Sequence, residues 1–198
     1  MKIVISLALV LCLGTTTTVW AARPRLDVGT VAPTFKARNL VTREYVTLDS
    51  QRGKLVILTF WATWCAPCRR ELPMLERVQE ILGKDRVAVL AVNFEDNDVS
   101  VTALKKLAST WQISLLEDWN GRIAEHYDIT SIPHLFMIDR EGKIVANHTG
   151  YGDSSMDELV ADINAALRAS ATAQTSAATP ATSNPQPAAS DPPPTDSH

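Results

Sequence analysis

Two short apolar runs, residues 55–60 and 87–92, dominate the hydrophobic pattern of the first half of the chain. Continuous runs of this length are typical of strands buried on both faces of a sheet, so we expect two parallel neighbours. Between them, apolar residues recur at helical spacing over residues 66–82, at Leu72, Leu75, Val78, Ile81 and Leu82. The pattern predicts a βαβ unit whose helix is kinked by Pro73 and ended by Gly83.

The second half of the chain continues this alternation of helix and strand patterns. We predict helices at residues 99–110, 121–127 and 156–167, and strands at 135–139 and 144–148 joined by a turn at 140–143. A βαβ unit followed by helices, a β-hairpin and a closing helix describes an α/β domain in which helices flank a central mixed sheet.

Both ends of the chain differ in composition from this domain. Lys2, an apolar stretch of about 11 residues and the segment Val19-Trp20-Ala21 have the layout of a secretory signal peptide, residues 1–21. Such a stretch falls short of the roughly 20 residues that span a bilayer, which disfavours an uncleaved membrane anchor. Residues 170–198 are rich in Ala, Ser, Thr and Pro and predict a disordered tail. The domain is therefore expected to span residues 22–169.

The charge of the chain gives little indication of a partner. The net charge is −3, and no run of Lys or Arg stands out. The sequence therefore indicates no nucleic acid partner and no binding to an anionic membrane surface. A domain of about 145 residues is large enough for one hydrophobic core, and we expect a monomer.

The cysteines supply the strongest chemical signal. Cys12 lies in the predicted signal peptide, so Cys65 and Cys68 would be the only thiols of the mature protein. A disulfide between them closes too short a loop to stabilise the fold much. A zinc site needs further ligands, and the four histidines are scattered. In an oxidising exported compartment, this CxxC spacing predicts thiol–disulfide redox chemistry without a metal or another cofactor.

Four segments of the chain resemble one family in the expected order. Residues 59–69, Thr-Phe-Trp-Ala-Thr-Trp-Cys-Ala-Pro-Cys-Arg, resemble the active-site strand and turn of TlpA-like and ResA-like exported thioredoxins. Residues 28–35 resemble the N-terminal hairpin entry of that family, residues 52–54 the lead-in to its first core strand, and residues 131–133 its substrate-facing proline loop. The resemblance implies a thioredoxin-like fold with an N-terminal β-hairpin extension.

The position of Cys65 at the start of the predicted helix suggests which of the two thiols is the attacking nucleophile. Free backbone N–H groups and the helix dipole stabilise a thiolate there, so we expect Cys65 to attack and Cys68 to resolve the mixed disulfide. Glu71 lies three residues after Cys68 on about the same helix face and matches a glutamate of ResA-like proteins. It is the candidate proton carrier, because Thr59 stands where thioredoxin has a buried aspartate. The alternative for Glu71 is a solvated surface residue.

The substrate-binding residues are implied mainly by the resemblance. Thioredoxin-like folds place a cis-proline beside the CxxC, which assigns Pro133 to that position and the backbone of Ile132 to substrate binding. Trp64 is expected to form an exposed apolar rim, whereas Trp61 is expected in the core. Core or surface roles without chemistry are expected for Trp111, Trp119, Arg69 and Arg70, and the role of His134 is left open.

These observations predict an exported, periplasmic thiol–disulfide oxidoreductase that reduces disulfides of specific periplasmic proteins by a Cys65/Cys68 cycle. The resemblance implies a membrane-bound thiol electron donor and substrate proteins with disulfides or thiols, apocytochrome c being the first to test. Sequence alone leaves the direction of electron flow open. Two alternatives stay open as well: a thiol peroxidase related to the peroxiredoxins, and a non-catalytic module in which the two thiolates hold Cu(I).

Overall fold

A computed structural model describes residues 26–94 and 111–177 of the 198-residue chain. The predicted signal peptide, the predicted helix 99–110 and residues 178–198 of the predicted tail lie outside the described residues. The strands are β1 Lys36–Asn39, β2 Tyr45–Thr47, β3 Leu55–Trp61, β4 Val87–Asn93, β5 Ser114–Glu117, β6 His134–Ile138 and β7 Ile144–Thr149. The α-helices are α1 Ala66–Leu82, α2 Arg122–His126 and α3 Asp153–Ala177, and a 3-10 turn spans Asp49–Gln51.

The described strands form one mixed sheet in the order β2-β1-β5-β4-β3-β6-β7. Strands β3 and β4 pair in parallel from Leu55 opposite Val87 to Trp61 opposite Asn93, and α1 connects them, which confirms the predicted βαβ unit. Strand β5 continues the parallel part, and the remaining pairs are antiparallel. The carboxyl ends of β3, β4 and β5 therefore meet at one edge of the sheet.

Strand β3 lies near the middle of the sheet between β4 and β6, and it is buried on both faces because a hydrophobic cluster covers each of them. One face packs against α1 and α3, in a cluster that includes Leu72, Leu75 and Ile163. The other face packs against α2 and an aromatic group around Tyr127. Burial of both faces explains why six of the seven residues of β3 are apolar and the sequence does not alternate with polar residues.

The structure differs from the sequence-based expectation at two places. Strand β5 was not predicted, because its four residues include only Leu115 and Leu116 as buried apolar positions. The N-terminal hairpin of β1 and β2 follows residues 28–35 directly, which agrees with their expected place as its entry. Helix α3 begins before residue 156 and continues to Ala177, eight residues into the segment predicted to be a disordered tail, because its alanine-rich sequence favours helix.

Candidate active site

The cysteine pair lies at the junction between the end of β3 and the start of α1. Strand β3 ends at Trp61, the Cys65 N–H donates to the Ala62 carbonyl at 3.2 Å, and α1 begins at the next residue. Cys65 is the N-cap residue of α1, and its Sγ accepts a hydrogen bond of 3.2 Å from the Cys68 N–H. Pro67 fits in this first turn because it has no N–H that would be left unpaired.

Cys65 and Cys68 are joined by a disulfide, with an S–S distance of 2.00 Å and a Cα–Cα distance of 5.3 Å. The structure is thus the oxidised form of the pair. Cys65 keeps 4% of its surface accessible, whereas Cys68 has none. Because an attacking or attacked sulfur must be reached from outside, the geometry favours Cys65 as the sulfur that meets a second molecule.

Glu71 is buried, which excludes the alternative of a solvated surface residue. It lies one helical turn after Cys68, and only 3% of its surface is exposed. Its Oε2 accepts a 2.8 Å hydrogen bond from the hydroxyl of Thr59 on β3. Burial raises the pKa of Glu71 to about 7, and the Thr59 hydrogen bond opposes part of that rise. A carboxyl with this pKa exchanges protons near neutral pH.

The proline loop lies at the same edge of the sheet as the cysteines. Strand β6 begins with His134 opposite Phe60, so the loop before it is adjacent to the end of β3. The Ile132–Pro133 peptide bond is cis; Pro133 is buried and Ile132 is half-buried. The Pro133 carbonyl accepts a 2.8 Å hydrogen bond from the Gly150 N–H, which ties the loop to the end of β7.

The aromatic residues near the cysteines divide between core and surface. Trp64 is 60% exposed, whereas Trp61 is buried and donates its indole N–H to the Ala91 carbonyl at 3.3 Å. Trp119, two residues after the end of β5, is 87% exposed. Trp64 is therefore the large apolar side chain presented to solvent directly beside Cys65.

Two polar residues near the site have contacts that sequence reasoning did not find. The Arg69 guanidinium donates to the Thr63 carbonyl at 2.8 Å and so braces the active-site turn. The His134 ring stacks on Phe136 with centroids 4.8 Å apart, and its Nε2 lies 2.7 Å from Asn147 Oδ1. Burial lowers the pKa of His134, which favours its neutral form. The CxxE spacing pointed to Glu71, but no sequence signal pointed to Thr59 as its partner.

Comparison with known proteins identifies the family of this chain. The model of the AhpC/TSA family matches residues 28–147. The thiol–disulfide oxidoreductase ResA of Geobacillus thermodenitrificans is 34% identical over 154 residues, which cover 76% of this chain and 86% of ResA. The thioredoxin-like protein YneN of Bacillus subtilis is 37% identical over 127 residues, which cover 63% of this chain and 73% of YneN.

A solved structure gives the same result for the fold. A protein from Chlorobium tepidum, named as the thiol:disulfide interchange protein DsbE, superposes with a TM-score of 0.65 at 32% identity, covering 72% of this chain and 99% of its own. The mixed sheet, the flanking helices and the disulfide-linked Cys65 and Cys68 fit these relatives. The chain therefore belongs to the AhpC/TSA family, and it is a thiol–disulfide oxidoreductase of the thioredoxin-like fold, similar to ResA and DsbE.

Proposed function

We propose that this protein reduces disulfides of exported proteins through a Cys65/Cys68 cycle. In the first step the Cys65 thiolate attacks a substrate disulfide, forming a mixed disulfide and releasing one substrate thiolate. In the second step Cys68 attacks Cys65 Sγ, which forms the intramolecular disulfide and releases the second substrate thiolate. The observation that carries this order is that Cys68 is fully buried, whereas Cys65, at the N-cap of α1, keeps 4% of its surface exposed.

Glu71 is the proposed proton carrier for the second step. Cys68 must lose a proton before it attacks, and solvent does not reach its sulfur. The carboxylate of Glu71, one helical turn away, would take this proton and become a neutral carboxylic acid. A pKa of about 7 suits the task, because the carboxyl can both take and return a proton near neutral pH.

The proposed docking surface for the substrate consists of Trp64, Ile132 and Pro133. Trp64 offers an exposed apolar ring beside the nucleophile. The loop before β6 lies at the same sheet edge and would offer the Ile132 backbone to an extended substrate segment. Recognition of a backbone beside an apolar rim suits disulfides that lie in unfolded or extended chains.

The wider setting of this activity is also a proposal. The signal-like residues 1–21 support export to the periplasm, and relatives named ResA and DsbE are thiol–disulfide enzymes. A membrane-bound thiol donor would return two electrons to the oxidised pair, and the protein would act as a monomer. Apocytochrome c is the proposed substrate, through the cysteines of its CxxCH haem-attachment motif. Among the described residues, no helix is long and apolar enough to cross a membrane.

A trapping experiment tests the order of attack. The reduced protein is mixed with an oxidised peptide that carries the CxxCH motif, and peptide thiols are counted by mass spectrometry after acid quenching. The wild type should release reduced peptide, and Cys68→Ser should hold one peptide per protein on Cys65. Cys65→Ser should be inactive. Trapping of the peptide on Cys68 in Cys65→Ser, as fast as on Cys65 in Cys68→Ser, would contradict the proposed order.

The direction of electron flow has its own measurement, the reduction potential of the Cys65/Cys68 pair. We expect a value near that of thioredoxin, about −270 mV, since the protein is proposed to act as a reductant. A value near that of DsbA, about −120 mV, would instead assign it to disulfide formation. The same titrated protein, mixed rapidly with hydrogen peroxide, tests the peroxidase alternative: fast oxidation of the Cys65 thiolate would favour it.

A further inference from the structure

Thr59 is the only polar residue in the central strand. The other six residues of β3 are Leu, Val, Ile, Leu, Phe and Trp, and all seven are buried. A valine has the same shape as threonine and would suit this strand as well. The hydroxyl group therefore needs an explanation other than packing or strand formation.

The hydroxyl of Thr59 has one partner among the described residues, the Glu71 carboxyl at 2.8 Å. The two residues are 12 positions apart and lie on β3 and α1, and neither is accessible to more than 3%. A hydroxyl can both donate and accept a hydrogen bond. Thr59 can therefore donate to the Glu71 carboxylate and accept from the Glu71 carboxylic acid, simply by rotating its O–H.

Few ionisable groups other than Glu71 lie close enough to influence its protonation. Strands β3 and β4 contain no ionisable side chain. Cys65 and Cys68 form the disulfide and do not ionise in this state. Other ionisable residues on the described elements around this region are Arg69, Arg70, Glu76, Arg77 and Glu80 on α1, His134 on β6, His148 on β7, and Asp157, Glu158, Asp162 and Arg168 on α3, none of them fully buried. Burial and the Thr59 hydroxyl are the two causes that act on the pKa of Glu71.

We propose that Thr59 is a positioning residue that keeps Glu71 hydrogen-bonded in both protonation states and thereby sets the pH range in which Glu71 takes the proton of Cys68. This inference rests on the proton-carrier role proposed above for Glu71. Without the hydroxyl, a buried carboxylate loses a charge-assisted hydrogen bond, whereas the neutral acid loses a weaker one. Removal of the hydroxyl should therefore favour the neutral acid. The Glu71 carboxylate, the form that can take the proton of Cys68, would then be present only at higher pH.

The direct test is a titration of the oxidised protein by carboxyl ¹³C NMR, because the cysteines do not titrate in that form. The Glu71 signal is identified by its absence in Glu71→Gln. Thr59→Val should raise the midpoint of this signal by about one pH unit, and Thr59→Ser should leave it within a few tenths of a unit. Thr59→Ala removes the same hydroxyl and replaces Thr59→Val should that variant not fold. An unchanged midpoint in the variant that lacks the hydroxyl would overturn the proposal.

The kinetic test separates this proposal from the role of Glu71 itself. The rate of reduction of the CxxCH peptide is measured against pH in the wild type, Thr59→Val, Glu71→Gln and the double variant. Thr59→Val should shift the profile to higher pH in the wild-type background and have no further effect in the Glu71→Gln background. A profile that Glu71→Gln leaves unchanged would refute the proton-carrier role. A profile that moves in Glu71→Gln but not in Thr59→Val would refute the role of Thr59 alone.

Discussion

At the scale of single residues, the site combines a buried carboxyl with a buried thiol. Glu71 accepts a side-chain hydrogen bond from Thr59, and the neighbouring α1 residue Leu72 belongs to an apolar core cluster. Such a site favours the neutral carboxyl, which explains why the pKa rises to about 7. The Glu71 carboxyl is therefore only about half ionised near neutral pH. Its ionisation lowers the free energy of unfolding.

That cost can be measured as a pH dependence of the free energy of unfolding. The folded-state pKa of Glu71, about 7, lies above the ordinary value of 4.5 for a glutamate carboxyl, so the folded protein holds the proton more tightly than the unfolded chain. The resulting stability is present below pH 4.5 and lost as the pH rises to 7, by about 3 kcal/mol in total. In urea unfolding of the oxidised protein, Glu71→Gln should therefore gain about 2.5 kcal/mol more over the wild type at pH 8 than at pH 5.

The pH dependence contributed by His134 does not disturb this comparison. Burial lowers its pKa, so its contribution to stability is lost as the pH falls and has the opposite sign to that of Glu71. Because His134 is present in both proteins, its contribution cancels in the difference. An equal difference between wild type and Glu71→Gln at the two pH values would show that Glu71 is not a buried carboxyl with a raised pKa.

At the scale of elements, the position of the cysteines depends on how α1 is fixed to the sheet. Its N-terminus is capped by Cys65, and near its C-terminus the amide side chain of Gln79 bridges two other segments. The Gln79 Oε1 accepts from the Val89 N–H of β4 at 2.8 Å, and its Nε2 donates to the Gln112 carbonyl at 3.0 Å. The buried amide thus holds the helix in register with β4 and with the segment that leads to β5.

Removing the amide group of Gln79 should lower the free energy of unfolding more than the loss of a few side-chain atoms would by itself. Gln79→Ala removes both hydrogen bonds and leaves the buried Val89 N–H without its acceptor, so we expect a loss of about 2 kcal/mol in the free energy of unfolding. The matched control is Glu80→Ala, which removes an exposed pair with Arg77 and should cost well under 1 kcal/mol. Urea denaturation measures both, and equal losses would contradict the bridging role of Gln79.

At the scale of the whole molecule, the parts predicted correctly are those with strong local patterns. The runs in β3 and β4 and the helical spacing of α1 gave their bounds to within a residue. Strand β5 was missed because it is short and contains no β-branched residue. The contact of Thr59 with Glu71 could not be predicted, because it joins residues 12 positions apart on two elements whose relative placement depends on the packing of the whole domain.

The packing also predicts that the two layers unfold together, because they share one sheet. Leu75 belongs to the layer of α1 and Leu90 to the layer of α2, and both are essentially inaccessible. Replacing either by Ala should cost about 2–5 kcal/mol through lost contacts and a cavity. In both variants, tryptophan fluorescence, which includes the buried Trp61 of the first layer, and far-ultraviolet circular dichroism should report the same unfolding midpoint. If Leu90→Ala lowered the midpoint of circular dichroism but not that of fluorescence, the layers would unfold separately, and the α1 layer with its cysteines would be stable without the other.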